Sequence, residues 1–242
     1  MDEITSFDDA LAAVRKVPHW RVVISPEAFK KDRIPSLHRC RELVESCRVK
    51  SYPRIYESGK DDQGDDWAGH YWASSFGGYS GDIECWRLYR SGQFVQRCSL
   101  PQYEDATVRR AIKDIGVPQG PNPIGLVSWL KSLYAATQVF EFAARLAGKV
   151  VFDDAASVTI QMIGVKNHML WDPKFTMEEF HIAPKDDLEY KLTQRTEDVG
   201  AKSADLALDA AVHLFGVFGW HISSVELAPK QHEFLHNLFC DL

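Results

Sequence analysis

Between Ile124 and Ala147 a broad apolar surface is broken by one narrow polar stripe, in which Ser128, Lys131/Ser132, Gln138, Glu141 and Arg145 recur at intervals near three or four. Leu126, Val127, Trp129, Leu130, Leu133, Tyr134, Val139, Phe140, Phe142 and Leu146 fill the rest. A helix apolar over most of its circumference is covered on several sides, so the stretch is predicted to run through the core as a helix of roughly 35 Å. Pro123 pre-sets its first turn and Gly148 stands where a C-terminal stop is expected. Lys131, Gln138, Glu141 and Arg145 interrupt the apolar run that a bilayer span needs.

Other periodic stretches flank this one. Ser6 to Val17 has a capping Thr5 or Ser6, acidic Asp8 and Asp9 in its first turn and Arg15-Lys16 at its end, the charge order a helix dipole favours. His19 to Ser25 reads as a strand. Pro35-Ser36 opens a second helix with Leu37, Cys40, Leu43, Val44 and Cys47 on its buried side. Tyr52 to Tyr56 reads as a short strand, and Glu57 to Gly69, with its glycines and four aspartates, as a solvated loop. Ile83–Arg90 and Gln93–Leu100 form a predicted hairpin around Ser91-Gly92. A two-residue turn there would set Tyr89 against Phe94, Trp86 against Arg97 and Cys85 against Cys98, the last pair within reach of a redox disulfide. Glu104 to Gly116 and Ser203 to Trp220 are expected helices, Val158–Val165, His168–Trp171, Glu178–Ala183 and Leu188–Arg195 expected strands, and Lys230 to Phe239 a closing amphipathic helix.

The class these elements define is α+β: a mainly antiparallel sheet packed against a long central helix, with further helices at both termini. Residues 1–242 read as one domain, with a weak sub-boundary at 117–123, where three prolines fall in seven residues.

Composition narrows the function classes. A net charge of -6 argues against wrapping nucleic acid, although a local basic patch is compatible with it. The Met1-Asp2-Glu3 start lacks a basic, apolar-led signal, and five irregularly spaced cysteines form neither a paired framework nor a CxxC site. The expectation is a cytoplasmic protein with reduced thiols, no cofactor and no membrane contact.

Two motifs carry candidate chemistry. His232-Glu233-Phe234-Leu235-His236 is a literal HExxH, which on a helix sets two histidines on one face as zinc requires. A third ligand has no source downstream except Asp241, which is too close, and the apolar residues between already explain a docking helix. Asp172 followed by Glu189-Tyr190-Lys191 has the residue types of a Mg²⁺-dependent nuclease, two carboxylates for the metal and a lysine for the attacking water. The acidic Asp61, Asp62, Asp65 and Asp66 lack the order of a calcium loop, and the glycine-rich 75–81 run opens no helix. The remaining candidate is a surface: Trp67, His70, Trp72, Trp86, Arg87, Arg90 and Arg97 are residue types that dominate binding hot spots and stack on bases. The plainer reading makes alternate members sheet core.

Glu84–Val95 (ECWRLYRSGQFV), Arg33-Ile-Pro-Ser-Leu37, Val139-Phe-Glu-Phe-Ala-Ala-Arg145 and Ala204-Asp-Leu-Ala-Leu-Asp209 together resemble an uncharacterised bacterial region. That region follows a divergent AlbA (Schlafen-like) domain, to which nucleic-acid binding is ascribed, in some multidomain proteins. The resemblance runs from about Trp20 to the final helix, implies a bacterial defence or regulatory setting, and brings no catalytic residues. The AlbA-like domain has no counterpart in these residues, so its DNA-binding role does not carry over. The expected function is a non-catalytic binding or sensing module acting with a protein partner. The alternatives are a nuclease using Asp172, Glu189 and Lys191, or a zinc hydrolase using His232, Glu233 and His236.

Overall fold

A computed structural model describes residues 4–73, 82–100, 123–149, 151–171 and 181–239. The expected helix Glu104–Gly116, linker residues 117–122, the 75–81 run, Asp172 and the first half of the expected strand 178–183 lie outside the described residues.

Helix α1 (Phe7–Val14) opens with a capping box: Ser6 Oγ accepts from the Asp9 amide and the Asp9 carboxylate accepts from the Ser6 amide. Strand β1 (His19–Pro26) follows, then α2 (Leu37–Cys47), capped by Ser36 and burying Cys40, Leu43, Val44 and Cys47 as the pattern implies. Next come β2 (Lys60–Gln63), β3 (Trp67–Ala73), β4 (Ile83–Tyr89) and β5 (Phe94–Ser99), then β6 (Gly125–Ser128) running into α3 (Trp129–Gly148). After β7 (Ala155–Ile163), β8 (His168–Trp171) and β9 (Leu188–Arg195), the described chain ends in α4 (Thr196–Ala201), α5 (Ser203–Val217) and α6 (Ser224–Phe239).

Seven strands form one sheet in the order β2-β3-β4-β5-β1-β7-β9, every neighbour antiparallel, and β6 and β8 form a separate parallel pair. Side chains alternate across the pleat, so the registers define rows. Rows on the inner face, such as Ala68-Leu88-Phe94-Ile24-Val158-Leu192, pack against α3 and α5 to make the main core. On the outer face, α1 covers only the β3–β4–β5 half, where Phe7, Ala10 and Val14 meet Tyr71, Ile83 and Cys85 in a second, smaller cluster.

Four expectations are corrected. The central helix begins at Trp129, since Gly125–Ser128 is strand β6 and Ser128 Oγ accepts from the Lys131 amide as the true cap. A short buried strand merges with a buried helix in hydropathy alone, and Ile124 is in fact exposed. The expected loop Glu57–Gly69 contains β2 and the start of β3, joined at Asp65-Asp66. β2 is an edge strand whose charges face water, a common guard against further pairing. Tyr52–Tyr56 is not a strand, and its only pairing is a bridge from Tyr52 to Val49.

The hairpin exists, but its register is one residue off. Gly92, at φ +88°, closes a three-residue Arg90-Ser91-Gly92 turn in which the Gly92 amide donates to the Tyr89 carbonyl. Cys85 therefore faces Arg97, Trp86 faces Gln96, and Cys98 faces Glu84. A one-residue slip reverses every side chain. Cys85 enters the α1 cluster on one face, and Cys98 lines a cavity on the other.

Candidate functional site

The segment 51–54, linking α2 to the sheet, forms one wall of a cavity on the sheet's inner face. The Arg54 amide donates to Glu84 Oε1 at 3.0 Å, and the Arg54 carbonyl accepts from Trp86 Nε1 at 3.0 Å. Both partners are inward-facing residues of β4, so that strand fixes the segment. One turn of chain further, the Tyr56 amide donates to His70 Nε2, while His70 Nδ1 is 2.9 Å from Asp61 Oδ1. These contacts make the imidazole a donor to the carboxylate and an acceptor from the backbone.

The cavity has a volume of about 380 Å³. Its floor is Trp20, Val22, Glu84, Gln96 and Cys98 of the sheet, and its roof is the α3 stretch around Ala135 and Ala136, whose small side chains leave the space open. Tyr134 and Phe234, stacked at 4.2 Å, close one side, and Asp82 and Lys131 stand exposed at the rim.

Glu84 is the chemical centre. Its Oε1 accepts twice, from the Arg54 amide and from Gln96 Nε2 at 2.7 Å, while Oε2 has only Arg54 Nε at 3.8 Å, too far for a hydrogen bond. Burial lifts the carboxyl from 4.5 to about 7, against the pull of those hydrogen bonds and of the Arg54 charge. Beside it Tyr52, 8% exposed, buries a hydroxyl that has no partner. Burial and then the Glu84 charge hold that phenol well above its ordinary value, so it stays protonated. The same two causes hold the Cys98 thiol up. A buried carboxyl held loosely by Arg54 and a buried tyrosine whose hydroxyl has no partner thus both line one cavity, an arrangement suited to gripping a polar group.

The residues singled out from sequence separate. His70 and Trp86 are buried, 3% exposed each, and brace the cavity wall, while Trp72 stacks on Tyr56 at 3.8 Å and donates to Ser58 Oγ. Trp67, Arg87 and Arg97 project from the opposite face, and Arg90 is tied to Asp32 and to the carbonyls of Ile34 and Pro35. The seven do not form one exposed patch. Glu189 and Lys191 lie exposed on the outer face of the edge strand β9, where Glu189 accepts from Gln161. His232, Glu233 and His236 are exposed on α6, with Glu233 paired to Lys230. Among the described residues no group of three metal-ligating side chains converges, and no helix is long and apolar enough to cross a membrane.

Glu84 and Gln96 escaped the sequence reading as site residues. The available signal was phase: each shares its strand's inward face with apolar residues, Glu84 with Trp86 and Leu88, and Gln96 with Phe94 and Cys98. A polar residue at a core position on each of two paired strands marks a buried polar site. The chain matches no family model, no curated protein and no solved structure.

Proposed function

We propose that the chain is a non-catalytic binding module that senses a small ligand in the cavity between the sheet and α3, and passes that state to a protein partner. The observation that carries this reading is that the buried carboxyl of Glu84 and the buried Tyr52, whose hydroxyl has no partner, both line the cavity. The volume falls within the roughly 300–1,000 Å³ of small-molecule sites. Trp20, Tyr134 and Phe234 offer flat apolar contacts, so the matching ligand has an apolar body and a hydrogen-bonding head such as an amine, amide or hydroxyl. Binding fits better than nucleophilic catalysis. A reactive thiol needs a lowered pKa, and the Cys98 thiol is held up instead. The partner and the defence setting rest on the resemblance alone.

Native mass spectrometry of the purified full chain tests the reading, followed by a thermal-shift screen of small aromatic amines and amides. The expected result is a retained or selected ligand whose stabilisation is lost in Tyr52→Phe and Glu84→Gln but kept in His232→Ala. Stabilisation indifferent to both cavity substitutions would remove this cavity as the binding site.

A further inference from the structure

On the other face of the same strands, Arg15, Arg21, Arg87 and Arg97 line a groove of about 230 Å³ floored by apolar side chains, among them Phe7 and Cys85. The register brings them together: Cys85, Arg97, Arg21, Gln161 and Glu189 form one row across β4, β5, β1, β7 and β9. Arg87 is two residues along β4, and Arg15 reaches in from the end of α1.

Three of these guanidiniums are held in position by neutral groups, by rings or, for Arg87, also by one carboxylate. Arg97 Nη1 is 2.5 Å from His19 Nε2, and His19 Nδ1 donates to the Val17 carbonyl at 2.8 Å, so the imidazole is a neutral acceptor. Arg21 donates to Gln161 Oε1 at 2.6 Å. Arg87 lies 3.8 Å from the ring centroids of both Phe7 and Trp67, contacts Asp8 through Nη2 at 3.2 Å, and keeps Nε buried without a partner. Among the described residues Arg15, Arg21 and Arg97 have no ion pair with a carboxylate. The crowding is felt: burial and then the charges of Arg15 and Arg21 push the Arg97 guanidinium below its ordinary value. A bound anion would relieve the repulsion of like charges gathered on an apolar floor, in a chain whose net charge is -6.

We propose that this groove binds the terminal phosphate, a monoester dianion, of a small ligand. Several guanidiniums supply more donors and more charge than a single carboxylate uses, and their planar forks match phosphate oxygens. The volume is below that of sites enclosing a whole drug-sized molecule, so the groove takes the anionic end and leaves the remainder over the open sheet face. A nucleic-acid strand fits less well, because Asp8 of α1 stands at the groove and the arginine row across the sheet ends in Gln161 and Glu189.

Calorimetric titration of the full chain with inorganic phosphate and with glycerol phosphate, at constant ionic strength in chloride, decides the matter. Saturable one-to-one binding is expected, weakened about tenfold or more in Arg97→Gln and in Arg15→Gln, the usual scale for a charge-assisted hydrogen bond. Arg15 is exposed and contributes no side chain to either core cluster, so its variant separates binding from folding. Lys191→Gln, outside the groove, is expected to bind as the parent does. No saturation at millimolar phosphate, or equal weakening in Lys191→Gln, would overturn the proposal. Tighter binding of an oligonucleotide without terminal phosphates, through the same arginines, would overturn it in favour of a nucleic-acid surface.

Discussion

On the inner face of β4 and β5, Glu84, Gln96 and Cys98 are enclosed by α3, and Glu84 has neutral hydrogen-bond donors with one guanidinium, that of Arg54, 3.8 Å away. On the outer face, α1 is the helix that covers Cys85, Arg87 and Arg97, and the guanidiniums keep their charge with few counter-ions. Adjacent residues of the same two strands thus serve opposite chemistries. Burial is the deciding variable. Under α3 a carboxyl is driven toward its neutral form, whereas the thinner α1 cover leaves room for charge stabilised by stacking on Phe7 and Trp67.

The sharpest way to break this contrast is Trp86→Ala. If Trp86 is inner-face scaffold, urea unfolding should show a loss of about 3–5 kcal/mol, the scale of removing a buried aromatic. A loss below about 0.5 kcal/mol is the scale of a surface position and would return Trp86 to the surface patch.

A pH series comes next in size. Glu84 has a raised carboxyl in the folded state, so folding takes up a proton between about 4.5 and about 7. Its contribution is fully present below the unfolded value and is lost as pH rises through the folded one. The total is of order 3 kcal/mol. Other groups titrate in the same window, His19 and His168 in the opposite sense because burial lowers them. The difference between the stability curves of the parent and Glu84→Gln isolates the effect, and parallel curves would refute it.

On the outer face, Arg97→Gln is expected to weaken phosphate binding about tenfold while changing the unfolding midpoint little. The smallest effect expected is none: diamide treatment should leave Cys85 and Cys98 unlinked by non-reducing mass spectrometry. A Cys85–Cys98 bridge would mean that the two share a face and that the hairpin register is the slipped one.

How much of this was legible follows from which forces are local. The caps at Ser6 and Ser36, the buried stripe of α2 and the limits of β9 are written in short-range chemistry and were readable. Ser128 was equally a cap, but the apolar run on both sides of it hid the change from strand to helix. The hairpin register depended on whether Arg90 joined the turn, a choice set by Gly92 adopting positive φ, and Ser91-Gly92 alone is compatible with either length. The cavity was hidden for a longer-range reason. Glu84, Gln96, Tyr52 and the α3 alanines come from four separate stretches, and only the phase of Glu84 and Gln96 hinted at it. The HExxH histidines show the converse, a motif legible in sequence whose side chains the fold leaves on an exposed helix face.

The most direct measurement is the NMR titration of the Glu84 side-chain carboxyl carbon in the full chain. A midpoint near 7 is expected, shifting when a cavity ligand binds. A midpoint near 4.5, the value of a solvated glutamate, would contradict the enclosed carboxyl and with it the inner site.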